Sequence, residues 1–426
     1  MKTSAVLAIV LGLHAAACAT DTPADDGTCE PDEQDCGAGG VDGGGKADGA
    51  AASKAMMNDL TMVMPLAKTQ SELGAMLTAT STGAHGALLP KDLFTGVFPD
   101  RPAGGVGSDV GMKYANLKVV AIRIDPCFAQ IGPITDPSTC DNQVRLVFQD
   151  VTMSGDSASA VDGAVHAFYR VTRADLTAMI REVIDLRRTQ GQTKTMGPLA
   201  PHPLLVKQGL DGDFGKALAK IVLAHAGGDN LIRFTHLSSS NLSTVWAFSG
   251  FDIASGKTTA MVIPTLPAKA TAVSFFSGFS ASLSGGFTPP TTSTDNVTLL
   301  VNVDNAKKAK AADLQNAYDS SLRIENPGFH SPNTIDCATC HISETARLVV
   351  GEDQLNLTAS SDNDAFTADP KFVSKTNMRA TTTPRKQSTN VHMLSYRGGS
   401  LMIGQRVINE TANVVAYVNG VVLKAN

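Results

Sequence analysis

Residues Cys337-Ala338-Thr339-Cys340-His341 form a C-x-x-C-H run near the start of the last quarter of this 426-residue chain. The spacing suits one kind of chemistry. Two thiols three positions apart can each add across one vinyl group of a haem, and a His directly after the second thiol falls beneath the iron as an axial ligand. Other uses of the pair need more than the run supplies. A zinc site needs two further ligands, and no second C-x-x-C or H-x(3-5)-H accompanies this one. A thioredoxin-like redox pair needs the motif after a strand and opening a helix in a βαβ unit, whereas the preceding residues are Ser331-Pro332-Asn333-Thr334-Ile335-Asp336. A third use, a Cys337–Cys340 disulfide, constrains almost nothing within one helical turn and leaves His341 incidental.

The run resembles the haem-attachment site of c-type cytochromes. The likeness is specific over these five residues and looser over the segment from about Ala306 to Asn426. It implies one covalent haem c, bound through Cys337 and Cys340, with His341 as fifth ligand. Function then turns on the sixth ligand, since Met or His gives a low-spin electron carrier, while an open position invites peroxide, nitric oxide or oxygen chemistry. By analogy with cytochromes that ligate through a Met on the loop before the last helix, Met393 is the first expectation. Its neighbour His392 is second, Met402 third and His330 fourth. The expected metal ligands are therefore His341 and Met393. His85, His166, His202, His225 and His236 lie further upstream; His166 and His236 fall within strand patterns, where a half-exposed position accounts for them.

The elements that must position these residues give an α+β class, with a mixed strand/helix domain at 55–303 followed by a small, mostly α-helical cytochrome c-like domain at 304–426. In the second, Asn305 to Arg323 reads as a helix with Leu314, Ala317, Tyr318 and Leu322 on one stripe, ended by Asn326-Pro327-Gly328. Gln405 to Gly420 reads as an amphipathic helix with Val407, Thr411, Val414, Val418 and Val421 at roughly 3.5-residue spacing. A helix before the motif and a closing helix resemble the small monohaem cytochrome c domains, in which the first and last helices cross. The chain departs from that pattern by the dozen or so residues between the first helix and the motif. In the upstream domain, alternation at Val120-Ile122-Ile124, Val144-Leu146-Phe148, Val165-Ala167-Tyr169-Val171, Trp246-Phe248 and Val297-Leu299-Val301 predicts half-buried strands. One helix starts at the capping box Thr172-Arg173-Ala174-Asp175 and carries Leu176, Met179, Ile180, Val183 and Arg187 on one face. A second starts near Asp213, buries Leu218, Ile221 and Val222, and stops at Gly227-Gly228. This domain contains no G-x-S-x-G, H-E-x-x-H or phosphate loop, so it carries no recognisable catalytic set.

The first residues read as an export signal, 1–17. Lys2 is the charged start, Ala5 to Leu13 the short apolar core, and Ala15-Ala16-Ala17-Cys18 a small-residue cleavage site. Ending in Cys, this site resembles a bacterial lipobox, with Ala15 where an aliphatic residue is usual; the likeness implies a lipid on Cys18. Residues 18–54 read as a flexible acidic tether. Setting Cys18 aside, the cysteines fall into three close pairs, Cys29 with Cys36, Cys127 with Cys140, and Cys337 with Cys340, which fits two local disulfides plus the haem pair. With a net charge of −5 and no basic block, a nucleic-acid surface is not expected. The expectation is an exported outer-membrane lipoprotein, facing periplasm or cell surface, that relays electrons to an unknown redox protein partner. The alternatives are a haem-dependent oxidoreductase of peroxidase type, and a cell-surface binding lipoprotein with a Cys337–Cys340 disulfide and no haem.

Overall fold

The computed structural model describes residues 54–97, 112–128, 141–192, 198–239, 245–261, 272–276, 295–330, 337–366 and 392–424. The apolar alternations pair into one antiparallel sheet built from β1 (Thr61–Val63), β2 (Leu117–Phe128), β3 (Asp141–Ser154), β4 (Ser157–Ala160), β5 (Gly163–Arg170), β6 (Leu231–Ser239), β7 (Val245–Ala254), β8 (Lys257–Ala260) and β9 (Ala272–Phe276). The order is β1-β2-β3-β5-β6-β7-β8, with β4 added to β3 and β9 to β7. Because side chains alternate across a strand, register assigns every residue a face. Ile122, Leu146 and Ala167 align on one side; Arg123, Arg145 and Phe168 align on the other, and His166 shares that second side with Val147 and Thr235.

Helices α1 (Arg173–Thr189) and α2 (Asp213–His225) cover the first face. The Thr172 hydroxyl accepts from the Asp175 amide and so caps α1, which turns Leu176, Met179, Ile180 and Val183 into the same core as Val144, Leu146 and Val165. Arg187, fully buried on that stripe, donates a bifurcated hydrogen bond from its Nε to both oxygens of the Asp59 carboxylate at 2.8 and 3.1 Å. On α2, Leu218 and Val222 are buried and Ile221 is partly so.

The segment after residue 303 covers the second face. It contributes α3 (Ala311–Ile324), α4 (Cys337–Ala346) with a wide π-turn over Arg347–Glu352, the hairpin β10 (Leu394–Arg397) and β11 (Ser400–Ile403), and α5 (Gln405–Tyr417) with a π-turn over Val418–Val422. Gln149 on β3 locks the hairpin down: its Nε2 donates to the Tyr396 and Gly163 carbonyls at 2.8 and 2.9 Å, and its Oε1 accepts from the Tyr396 amide at 2.7 Å. Residues 143–151 of β3 are buried without a break, as a strand between two layers must be. Lys46–Asn426 form one compact unit, and the boundary expected near Asp304 falls inside it.

Local structure departs from expectation in two places. The strand expected over Val297–Val303 is a 3-10 turn (Thr298–Val301) followed by a short helix (Val303–Ala306). Asn296 Oδ1 accepts from the Thr298 amide and Asn302 Oδ1 from the Asn305 amide. Val297, Leu300 and Val301, the most deeply buried residues here, stand at i, i+3 and i+4, so these caps and a helical period overrode the alternation. The helix expected over Asn305–Arg323 is interrupted at Lys307–Lys310, after which α3 buries Ala317, Tyr318 and Leu322 as anticipated. The signal, nearly all of the tether, Cys29, Cys36 and Cys140, and the side chain of Cys127 lie outside the described residues. No described helix is long and apolar enough to cross a membrane.

Candidate functional site

Helix α4 begins at Cys337 itself. Positions 337, 340 and 341 are therefore i, i+3 and i+4 on one side of its first turn. Ala338 and Ile342 are buried beneath it, in an apolar cluster with Leu237, Phe248, Val297 and Leu300, and this fixes which way the turn faces. The side chain of Cys337 lies outside the described residues. Cys340 is not disulfide-bonded, is partly exposed, and packs against both apolar cores of the protein.

His341 meets the second face of the sheet. Its ring centre lies 6.2 Å from that of His166 on β5 and 5.6 Å from that of Phe248 on β7. His166 retains some solvent access, although Ala164 and Phe168, its neighbours on the same face, are buried. Cys340 and His341 are likewise only partly buried. Burial first, then the charges of Arg145, His341 and Arg123, push the His166 pKa well below its ordinary value and keep the imidazole neutral.

Beside these residues lies a buried charge cluster. Arg123 Nη1 donates to Glu410 Oε2 at 2.7 Å, and Arg123 Nη2 and Arg145 Nη2 approach Asp125 at 3.3 and 3.4 Å. Arg406 meets Glu410 Oε1 at 2.5 Å. Three guanidiniums face two carboxylates, so the cluster carries an excess of positive charge in a desolvated place. Burial, and then repulsion from Arg123, lower the Arg145 pKa to about 10. Burial alone would raise the Glu410 pKa, but Arg406, Arg123 and Arg145 outweigh it and hold it at about 2.

The four expected sixth ligands sit in other surroundings. His330 is buried with Nε2 2.9 Å from Asp295 Oδ2, and its carbonyl accepts from Arg406 at 2.7 Å. Burial would raise the Asp295 pKa, but hydrogen bonds from His330 and Arg323 hold it below its ordinary value. His392 uses both ring nitrogens, Nδ1 at 2.7 Å from Ser395 Oγ and Nε2 at 2.6 Å from Asp162 Oδ1. Met402 packs with Leu348. Met393 is buried where a Cβ on Gly404 would meet its Sδ and Cε at 2.5 Å and Glu344 Oε2 at 3.1 Å, so it lies against Gly404 at the start of α5. His202 caps a short helix at Pro203–Gln208 and stacks on Phe214 with ring centres 4.6 Å apart, and His225 contacts Glu182 at 3.2 Å.

Sequence reasoning missed His166, Arg123, Arg145 and Glu410. A signal for the first three exists: polar residues recur at alternate positions of strands whose other face is apolar. Read without the covering layer, that alternation looks like a wet face. Among the described residues no group of three or more His, Cys, Asp or Glu side chains is arranged to hold a metal ion. What the structure does bring together is a pair of imidazoles, those of His166 and His341, with the Phe248 ring beside the second. No protein-family model matches this chain, and neither a curated protein nor a solved structure matches it.

Proposed function

We propose that this protein is a monohaem c-type cytochrome, exported and anchored through a lipid on Cys18, that relays electrons to a redox partner. The reading is carried by the C-x-x-C-H run at the start of α4, which sets His341 beside the rings of His166 and Phe248. Cys337 and Cys340 would hold the group covalently, each S–H adding across one vinyl C=C so that a C–S bond and a C–H bond form and nothing leaves. His341 would be an axial ligand. When bound, the haem supplies a one-electron couple between ferrous and ferric iron. The protein's own residues do the rest: Phe248 and the cluster around Leu237 and Ile342 keep water from one side, and the excess positive charge of Arg123, Arg145 and Arg406 favours an anionic group beside Cys340. The small helical cytochrome c-like fold belongs to this proposal in modified form, since the haem-bearing segment borrows the sheet as its other wall.

Expression with a haem-maturation system, followed by intact mass and a pyridine haemochrome spectrum, tests the reading. The expected mass exceeds that of the chain by one haem, and Cys337→Ser with Cys340→Ser abolishes the increment. A wild-type mass without it refutes the proposal.

A further inference from the structure

We infer that His166, on the central strand of the sheet, is the second axial ligand opposite His341. This rests on the haem reading above, and it replaces the ligand expected from sequence, Met393. Two observations carry it. The first is spacing. Two imidazoles sharing one metal, each with a metal–nitrogen bond of about 2.0–2.1 Å and roughly 1.1 Å from nitrogen to ring centre, have ring centres about 6.3 Å apart. The His166 and His341 centres are 6.2 Å apart and the rings, inclined at 63°, are not stacked. The second is availability. His330 and His392 are tied to carboxylates at 2.9 and 2.6 Å, Met402 packs with Leu348, and Met393 lies against Gly404. His166 instead is only partly buried, and its ring lies next to that of His341. The fold also provides rigidity: β5 is paired on both edges, to β3 and β6, so the ring is held by a scaffold that moves little.

Such an arrangement joins the two faces of one site through segments far apart in the chain. α4 would deliver the attachment cysteines and one imidazole, and the sheet the other. This assigns the large upstream domain, otherwise silent, a direct part in setting the redox potential, because an imidazole in the sixth position holds the potential below that given by a thioether sulfur.

The test uses the full-length protein matured with haem, and its His166→Ala, His166→Met and Met393→Ala variants. Intact mass reports attachment; ferric near-infrared magnetic circular dichroism and electron paramagnetic resonance report the ligand pair. The wild type is expected to be low-spin with two imidazoles. His166→Ala should lose that signature while keeping the haem mass, and added free imidazole should restore it. His166→Met should change the signature to imidazole plus sulfur and raise the potential. Met393→Ala should leave the signature in place. A wild-type mass without haem overturns both readings. Haem present with a bis-imidazole signature intact in His166→Ala, or a wild-type imidazole–sulfur signature lost in Met393→Ala, overturns only the assignment of His166. If His166→Ala does not accumulate, the ligand pair of the wild type and of His166→Met decides: no change between them refutes the assignment.

Discussion

Replacing Glu410 by Gln should cost more than its position on the last helix suggests. Glu410 projects from α5 onto the second face of the sheet, where Arg123 and Arg406 reach it at 2.7 and 2.5 Å. The change is nearly isosteric but leaves three guanidiniums, those of Arg123, Arg145 and Arg406, facing Asp125 alone. Breaking a buried ion pair from one side costs about 3–5 kcal/mol, mostly because the remaining charge stays desolvated. The pKa of Glu410 gives a second, independent figure. A carboxyl held at about 2 in the folded chain, against 4.5 when free, contributes about 3 kcal/mol above pH 4.5. The sign follows from the depressed value: this contribution is complete above the unfolded pKa and is lost as pH falls toward 2. Urea denaturation of wild type and variant at neutral pH should therefore differ by about 3–5 kcal/mol with little change in m. Repeating the pair at about pH 3.5 should narrow the gap by about 1.4 kcal/mol, since only the wild type has Glu410 to protonate. A difference under about 1 kcal/mol at neutral pH, or a gap that stays constant with pH, would refute the claim that this charge holds the cluster together.

Two further perturbations probe how the covering layers are attached. Gln149→Leu should cost about 2–4 kcal/mol, because the Tyr396 amide and carbonyl lose their buried partner; hydrogen exchange at Tyr396 should rise well above that at Val147 in the same variant, and equal exchange at both would mean that the hairpin is held by packing alone. Arg187→Met should cost about 3–5 kcal/mol by stranding Asp59, whose burial outweighs Arg187 and raises its pKa to about 6. Adding Asp59→Leu should recover most of that loss in chemical denaturation; a double variant as unstable as the single one would show that the cavity, not the stranded charge, sets the cost.

What could be read from sequence was what is decided within a few residues. The Thr172 cap and the stripe from Leu176 to Arg187 are local, and α1 appears where they place it. The helix of Gln405 is equally local, although its buried set is broader than the valine stripe: Gln405, Arg406, Asn409 and Glu410 are all buried, Glu410 against Arg123 of the sheet and Arg406 and Asn409 against the carbonyls of His330 and Glu325, while Val421 is exposed. The C-x-x-C-H run is also local, five consecutive residues, but that it opens a helix is a finding of the structure.

The other half of the site depends on contacts that no window of sequence contains. Arg123 meets Glu410 across 287 positions and Gln149 meets Tyr396 across 247. Alternation in β2, β3 and β5 marks one apolar face correctly, but whether the opposite face is wet depends on what the last quarter of the chain does. Once that segment lies on it, the same polar residues acquire a different physical meaning. An arginine that would have been solvated becomes a desolvated charge requiring Glu410, and a histidine that would have been an ordinary surface residue becomes the ring facing His341. Packing the segment after residue 303 on that face sets the His341 ring 6.2 Å from His166, a pairing that no local pattern in either half announces.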